Sequence, residues 1–229
     1  MILDKFNLKG KVAIVTGSDT GLGQGISIAL AEAGAKVMGV SIVPSDDTMK
    51  IIGEDKFSYM IENLITTEPV KRIVEKTVEK FGRVDILFNN AGIIKRQDAI
   101  DYTEKDWDDV LNVNLRTLFF LSQETARQFI KQGEGGKIIN TASMLSFQGG
   151  IRVPSYTSSK SAIKGLTMAL ANEWAKHNIN INAIAPGYMA TNNTEALRAD
   201  KKRSEEILAR ITDGRWGSTD DLKGVEVFL

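Results

Sequence analysis

A glycine-rich turn joins a β-branched run to a helical pattern near the start of the chain. Residues 11–15 read Lys-Val-Ala-Ile-Val, glycines follow at positions 17, 21 and 23, and apolar residues then recur at helical spacing until Gly34. This order predicts a strand, a turn and a helix. Glycine lets the backbone approach a pyrophosphate, and the free N–H groups of the helix start attract its negative charge. Such a turn can also serve tight packing alone, but its position between strand and helix favours a dinucleotide site.

Five further apolar runs follow, each separated from the next by a segment of helical length. We predict strands in residues 37–40, 57–61, 84–88, 137–141 and 179–184. Strands that alternate with helices form parallel sheets that are covered on both faces. The chain contains no internal repeat or low-complexity linker. We therefore expect a single domain, residues 1–229, with a Rossmann-like doubly wound α/β fold and helices on both faces.

Charge balance and residue usage argue against several classes of function. The 29 basic and 29 acidic residues cancel, so no net field attracts nucleic acid or an anionic membrane. Without cysteine there is no disulfide, thiol nucleophile or thiolate metal site, and we expect the single histidine, His177, at the surface. No leader-like segment or run of about eighteen apolar residues is present, so we expect a cytoplasmic protein that needs no metal.

Tyr156 and Lys160 stand four residues apart at the start of a predicted helix that opens at Ser155 and continues through Leu170. Residues at this spacing lie on one face of a helix. A phenol with its ordinary pKa of about 10 is a poor acid or base at neutral pH, and a fixed ammonium favours the phenolate. We therefore expect the pKa of Tyr156 to be lowered. Taken alone, the pair is more typical of a buried tyrosine beside a surface lysine, because this spacing is common by chance.

Polar residues follow two of the predicted strands directly. Asn89-Asn90-Ala91-Gly92 ends one strand, and Ser143 ends another. Since ligands collect beyond the carboxyl ends of strands in open α/β sheets, we expect these residues to share a rim with the glycine turn. Ser143 could donate a hydrogen bond to a carbonyl oxygen or satisfy the backbone of its own turn.

A helix is predicted after Thr103, which resembles an N-cap because Asp106 follows three residues later. Asn114 interrupts its apolar stripe, which otherwise consists of Trp107, Val110, Leu111, Leu118 and Leu121. A buried amide needs partners, so Asn114 either satisfies a neighbour or faces a cleft and water. Periodicity alone favours the structural interpretation.

The position that usually selects the cofactor is occupied by Ser41, at the end of the second strand. A carboxylate there holds the ribose 2′-hydroxyl of NAD, and an arginine nearby accepts the 2′-phosphate of NADP. Ile42 and Val43 follow, so neither charge is present. The absence of a cation favours NAD, although a serine cannot exclude the phosphate electrostatically.

In order along the chain, the motifs resemble those of the short-chain dehydrogenases/reductases. They are Thr16-Gly17-x-x-x-Gly21-x-Gly23, Asn89-Asn90-Ala91-Gly92, Asn114, Ser143, Tyr156-x-x-x-Lys160 and Pro186-Gly187. The resemblance implies that Tyr156 is the general acid/base and that Ser143 polarises the substrate oxygen. It implies that Lys160 binds the nicotinamide ribose and lowers the tyrosine pKa, and that Asn114 holds a water in a proton relay.

The resemblance also implies the cofactor, NAD in preference to NADP, and the residues that bind it. Asn63 stands where the family often has an aspartate that contacts adenine, and its amide oxygen keeps an acceptor there. The implied contacts are Thr16, Gly17, Thr20, Gly21, Leu22, Gly23, Ser41, Asn63, Leu64, Asn90, Ala91, Gly92, Tyr156, Lys160, Pro186, Gly187, Met189 and Thr191.

Longer strings resemble the branch of the family that acts on deoxy sugar acids of the gluconate type. They are residues 144–154, 172–178, 188–194 and 214–217. The substrate's carboxylate calls for a cation, for which Arg152 is the first candidate and Arg96 the second, while Gln148 could bind a sugar hydroxyl. Ser143 and Tyr156 would contact the reacting oxygen. The alternatives are another ketone, such as a 3-oxoacyl thioester or gluconate, or an inert NAD-binding regulatory protein.

Two further expectations come from the same resemblance. Residues 192–212, polar and following Pro186-Gly187, fall where the family has a mobile substrate lid, on which Lys201-Lys202-Arg203 forms a solvated face. The chain stops at Leu229, where the family continues into a last strand that contributes to subunit contacts, so we expect a sheet that lacks this strand. Family members suggest a homo-oligomer, in particular a tetramer.

Overall fold

Parallel strands form one sheet at the centre of the protein. A computed structural model describes residues 1–2 and 4–229, and its strands are β1 (Val12–Thr16), β2 (Lys36–Ser41), β3 (Phe57–Ile61), β4 (Ile86–Asn89), β5 (Gly136–Thr141) and β6 (Ile179–Ile184). Their order across the sheet is β3-β2-β1-β4-β5-β6, and every neighbouring pair is parallel. The six predicted strands are confirmed, with ends that differ by one or two residues at most.

Helices cover both faces of the sheet, as predicted. They are α1 (Gly21–Glu32), α2 (Asp46–Ile52), α3 (Val70–Phe81), α4 (Glu104–Leu111), α5 (Leu118–Gln132), α6 (Leu145–Gln148), α7 (Pro154–Trp174), α8 (Glu195–Ala199), α9 (Lys201–Leu208) and α10 (Asp220–Phe228). One face packs against α3, α5 and α7, and the other against α1, α2 and α10. Within the described residues, no helix has the length and apolar character needed to cross a membrane.

The central strand β1 is buried on both sides. Ile14 belongs to the core beneath α3, α5 and α7, whereas Ala13 and Val15 belong to the core beneath α1 and α10. Burying one such branched side chain contributes about 1.5–3 kcal/mol. An unbroken apolar run is therefore the expected sequence of a central parallel strand, and it explains why the strands were recognisable.

The strand order reverses at β1, which has β2 on one side and β4 on the other. The chain leaves β1 toward β2 on one side and leaves β4 toward β5 on the other. Such a divergence opens a crevice beyond the carboxyl ends of the strands. The glycine turn follows β1, and Asn90-Ala91-Gly92 follows β4. The two segments therefore lie at one rim, as the sequence predicts.

A π-helical segment, Asn112–Thr117, joins α4 to α5 and contains the fully buried Asn114. The sequence pattern predicts an ordinary helix here, and the wider turn is a finding of the structure. Thr103 caps α4 as predicted, since its hydroxyl accepts from the Asp106 N–H at 3.1 Å. Turns of the π type often mark functional sites inside helices.

The predicted lid segment, residues 192–212, is largely helical. It contains a 3-10 turn, α8 and α9. Arg96 donates a hydrogen bond to the Asn193 carbonyl oxygen at 2.9 Å and so ties the segment to the loop after β4. Lys201 and Lys202 are exposed, as predicted. Movement of the segment stays a prediction.

Candidate active site

The glycine turn is packed too closely for side chains. A Cβ on Gly23 would lie 1.8 Å from the Gly17 carbonyl oxygen, and Gly17 itself has a φ of 70°. Adding a Cβ at Gly17 would bring it within 3.1 Å of Asn90 Nδ2. Substitution at either position would therefore displace the turn from the start of α1, which is where a pyrophosphate would meet free N–H groups.

Thr16 joins the two sides of the crevice. Its hydroxyl accepts from the N–H groups of Asn90 at 3.0 Å and Ala91 at 2.9 Å. The side-chain amide of Asn90 donates a hydrogen bond to the Thr16 carbonyl oxygen at 3.1 Å. These three bonds hold the loop after β4 against the end of β1, so Thr16 shapes the site from a buried position instead of lining it.

A cleft of about 240 Å³ runs from the glycine turn to the start of α7. Ten of the predicted cofactor residues line it: Gly17, Thr20, Gly21, Leu22, Asn90, Ala91, Gly92, Tyr156, Lys160 and Thr191. Three glycines, Gly17, Gly21 and Gly92, belong to its lining, and the charged residues of the lining are Asp19 and Lys160. A cradle of glycines and free N–H groups fits a dinucleotide phosphate.

The remaining predicted cofactor residues lie outside this lining. Gly23 and Ser41 are buried, and Asn63 and Leu64 follow β3, where Asn63 Oδ1 accepts from the Ile65 N–H at 3.0 Å. Pro186 uses its carbonyl to accept from the Met144 N–H at 3.0 Å. Met189 is buried near Gly217, and Gly187 is exposed. Contacts of these residues with a cofactor stay predictions.

Tyr156 and Lys160 share one face of α7, as their spacing predicts. Lys160 Nζ lies 5.7 Å from the centroid of the Tyr156 ring. The ammonium donates to the Thr141 carbonyl at the end of β5, and Lys160 is only 3% exposed. A Cβ on Gly92 would lie 3.6 Å from Lys160 Nζ. The pair therefore stands at the end of the cleft, beside the loop after β4.

The direction of the Tyr156 pKa shift corrects the sequence prediction. Burial raises the pKa of Tyr156 above its ordinary value, while a hydrogen bond with Ser143 and the positive charge of Arg96 pull it down incompletely. Burial also lowers the pKa of Lys160, to about 8. The prediction considered the charge of Lys160 but not the loss of water around the phenol, which disfavours the phenolate.

Replacing Lys160 by methionine is expected to stabilise the fold at neutral pH by about 1–2 kcal/mol. Burial lowers the Lys160 pKa from 10.5 to about 8, so the unfolded chain holds this proton more tightly between those values. The free-energy cost of burying the Lys160 ammonium is therefore complete below pH 8 and disappears as the pH rises toward 10.5. Urea unfolding of both proteins at pH 7 and pH 10 measures it. A gain as large at pH 10 as at pH 7, or a loss at pH 7, would contradict the assignment.

Ser143 satisfies its own turn and also lies beside Tyr156, while donation to a substrate oxygen stays a prediction. Its Oγ accepts from the Leu145 N–H at 3.1 Å, which satisfies the local turn. Its hydroxyl also forms a hydrogen bond with Tyr156. Because one lone pair is used by the turn, the hydroxyl orientation is restricted and its proton is available to an oxygen between the two side chains.

Asn114 is held by its neighbours. Its Oδ1 accepts from the Ile93 N–H at 2.8 Å, and Nδ2 donates to the Ile93 carbonyl at 3.0 Å and to Ser159 Oγ at 3.2 Å. Protein neighbours therefore satisfy this amide, and its role in holding a relay water stays a prediction. Both amide protons are used, so a relay water at Asn114 would have to donate to the remaining lone pair or to the main-chain carbonyl.

The two arginines proposed for the substrate carboxylate have different surroundings. Arg152 is 56% exposed on its side chain and forms an ion pair with Asp98 at 2.9 Å, and neither arginine belongs to the cleft lining. Arg96 lies close enough to Tyr156 for its charge to lower the tyrosine pKa. Binding of a substrate carboxylate by either arginine stays a prediction. Gln148 is exposed at the end of α6.

The sequence interpretation overlooked four residues of the lining, namely Asp19, Thr141, Asn192 and Asn193. Asp19 stands inside the glycine motif, so its position was the available signal. Thr141 ends a predicted strand next to Ser143. Asn192 and Asn193 begin the lid segment. In the described part of the chain, no group of three or more His, Cys, Asp or Glu side chains is placed to hold a metal.

Residues 11–202 match the sequence model of the short chain dehydrogenase family. The match spans the glycine turn, the switch-point cleft and all of α7, so the protein belongs to this family of nicotinamide-dependent oxidoreductases.

Similar proteins include the 2-dehydro-3-deoxy-D-gluconate 5-dehydrogenases of Dickeya dadantii strain 3937, 62% identical over 232 residues, and Escherichia coli strain K12, 57% identical over 231 residues. Each alignment covers all of this chain and 91% of the relative. A solved structure from Agrobacterium tumefaciens, described as a 2-deoxy-D-gluconate 3-dehydrogenase with bound NADP, matches with a TM-score of 0.90 and 50% identity. That match covers 98% of this chain and 90% of the other.

Proposed function

We propose that the protein interconverts an alcohol and a ketone at carbon 5 of 2-dehydro-3-deoxy-D-gluconate or a closely related deoxy sugar acid, with NAD as the preferred cofactor. The observation that supports the chemistry is the meeting of Tyr156, Ser143 and Lys160 at the end of the cleft. Relatives that are 62% and 57% identical carry that activity in their names, which supports the choice of substrate.

The proposed roles follow from donors and acceptors. In the direction of oxidation, Tyr156 accepts the proton of the substrate hydroxyl, and Ser143 donates a hydrogen bond to the same oxygen. In reduction, Tyr156 returns the proton to the forming alkoxide. The raised pKa of Tyr156 keeps the phenol protonated at neutral pH, which suits reduction, and makes oxidation faster as the pH rises.

The chain's own residues would hold the cofactor along the cleft. The glycine turn would bind the pyrophosphate, Asn90 and Gly92 the adenosine side, and Lys160 the nicotinamide ribose. When bound, an oxidised nicotinamide supplies a hydride acceptor and a positive charge. Protons would leave the buried Tyr156 through Lys160 and a water at Asn114, whose π turn departs from ordinary helical bonding.

The substrate carboxylate is assigned to Arg96. A guanidinium and a carboxylate form charge-assisted hydrogen bonds in a fork geometry. Arg96 already donates to the Asn193 carbonyl of the lid segment at 2.9 Å. Its position between the lid and Tyr156 would place the acid group over the catalytic pair, whereas Arg152 is engaged with Asp98.

A substrate panel tests the proposed function. The purified protein is supplied with NAD or NADP and with 2-dehydro-3-deoxy-D-gluconate, 2-deoxy-D-gluconate, gluconate or an uncharged polyol, and reduced nicotinamide is followed by absorbance. We expect kcat/KM with NAD to be highest for a deoxy sugar acid, by about tenfold or more over the polyol, because the polyol lacks the charge-assisted bond. A preference for the polyol, or for a 3-oxoacyl thioester in the reverse direction, would reject the proposal.

A further inference from the structure

The cleft has one charged side chain toward each end. Lys160 stands beside Tyr156, while Asp19 stands in the glycine turn next to the end of β2. The end of a second strand is where a dinucleotide site meets the adenosine ribose. Asp19, which is half-buried, therefore lies on the side where NAD carries a hydroxyl and NADP carries a phosphate.

Ser41, the residue at the usual selecting position, is occupied by other bonds. It is 4% exposed, and its hydroxyl accepts from the Asp19 N–H at 3.2 Å. The same oxygen lies 3.3 Å from Ser18 Oγ. Ser41 lies outside the cleft lining. Its bonds connect β2 to the glycine turn, so the serine supports Asp19 instead of facing the ribose.

A second layer of buried hydroxyls holds the same turn. Ser18 Oγ lies 3.1 Å from Ser45 Oγ, and Thr48 donates to the Ser18 carbonyl at 2.7 Å. Gln24 donates to Thr48 at 3.1 Å. These contacts fix the backbone on both sides of the Ser18–Asp19 peptide.

The Asp19 carboxylate makes no hydrogen bond or ion pair with the residues that the structure describes. Its backbone N–H is held by Ser41, and Asp19 belongs to the cleft lining, where the one cationic residue is Lys160 beside Tyr156. Ile42 and Val43, which follow β2, are exposed and apolar. No described neighbour on this side of the cleft lining would neutralise a 2′-phosphate.

We propose that Asp19 is the residue that selects NAD over NADP. This inference deepens the proposed function and rests on it for the identity of the cofactor as a nicotinamide dinucleotide. The carboxylate accepts hydrogen bonds from a ribose hydroxyl, and its negative charge opposes a 2′-phosphate. The selecting carboxylate thus stands in the glycine turn, and Ser41 at the end of β2 positions it.

Binding of NADH and NADPH to the full chain, measured by fluorescence titration without a sugar acid, tests this role. Asp19→Asn and Asp19→Ser remove the charge, and Asp19→Glu restores it. Asp47→Asn removes a neighbouring exposed carboxylate that pairs with Lys50 outside the cleft, and serves as the matched control.

In the wild type, we expect NADH to bind more tightly than NADPH. Asp19→Asn and Asp19→Ser should move the ratio of dissociation constants toward NADPH by about tenfold or more, while Asp19→Glu and Asp47→Asn keep the wild-type preference. Ser41→Ala should weaken the preference less than Asp19→Asn.

An unchanged ratio in both charge-removing variants would overturn the inference. So would a preference lost in Ser41→Ala alone, since the ribose contact would then belong to the serine. These titrations need no turnover, so their failure leaves the substrate assignment standing. Normal NADH selection by Asp19 without turnover of any sugar acid would instead reject the proposed function alone.

Discussion

Turnover in the Tyr156→Phe variant is expected to fall by about 10²- to 10⁴-fold, which is the usual contribution of general acid/base catalysis. The substitution removes the hydroxyl that Ser143 contacts and leaves a ring of nearly the same volume in α7. The dissociation constant for NADH should stay within about threefold of the wild-type value, because a single neutral hydrogen bond contributes little. Initial rates with a deoxy sugar acid and a fluorescence titration with NADH measure the two quantities.

Tyr59→Phe is the matched control for this variant. It removes a tyrosine hydroxyl that bonds to Asp46 at the edge of the sheet, away from the cleft. We expect its turnover to equal that of the wild type. If Tyr156→Phe also turned over at a near-normal rate, the proton would have to move through another group.

The second large effect is expected at Arg96. Replacing it by alanine should raise the KM for a deoxy sugar acid by about 10- to 100-fold, since a charge-assisted hydrogen bond contributes about 1.5–3 kcal/mol. The positive charge of Arg96 lowers the pKa of Tyr156, so its removal should also shift the pH profile of oxidation to higher pH. Steady-state kinetics across the pH range measure both changes.

Arg152→Ala separates the two candidate arginines. Arg152 forms an exposed ion pair with Asp98, and such pairs typically contribute less than about 1 kcal/mol. We expect its KM for the acid to change by less than about threefold. An uncharged polyol should show little change in KM with either variant. A large rise in the KM for the acid in Arg152→Ala, with no rise in Arg96→Ala, would show that Arg152 binds the substrate carboxylate.

Much of the fold could be predicted because its signals are local. Residues 11–15 form a continuous β-branched run because β1 is buried on both faces, and Gly23 is glycine because a Cβ would collide with Gly17. The spacing of Tyr156 and Lys160 sufficed to place both on one helix face. Each of these inferences needs only a few neighbouring residues and a known repeat.

What the sequence could not reveal is decided by contacts between distant residues. The pKa of Tyr156 is raised because the fold takes much of the water away from its phenol, and spacing alone does not report desolvation. Arg152 looked suitable because it lies between Ser143 and Tyr156 in sequence, yet Asp98 engages it. Ser41 stands at the usual selecting position, but the hydroxyl turns toward the Asp19 backbone.

The burial of Lys160 connects function to stability. An ammonium held at the Thr141 carbonyl, with its pKa lowered to about 8, costs the fold free energy at neutral pH that a methionine would not. Retaining it is reasonable only if the charge acts at the end of the cleft. A variant that gains stability and loses turnover is the expected consequence of this arrangement.

The most direct test of the account is the rate of NADH formation from NAD with 2-dehydro-3-deoxy-D-gluconate as the sole substrate, with wild-type protein and Tyr156→Phe assayed side by side. The account predicts a rate proportional to the wild-type protein concentration and at least about 100-fold lower in the variant. Equal rates in the two proteins, or saturable binding of NAD by the wild type with no NADH formed, would contradict it.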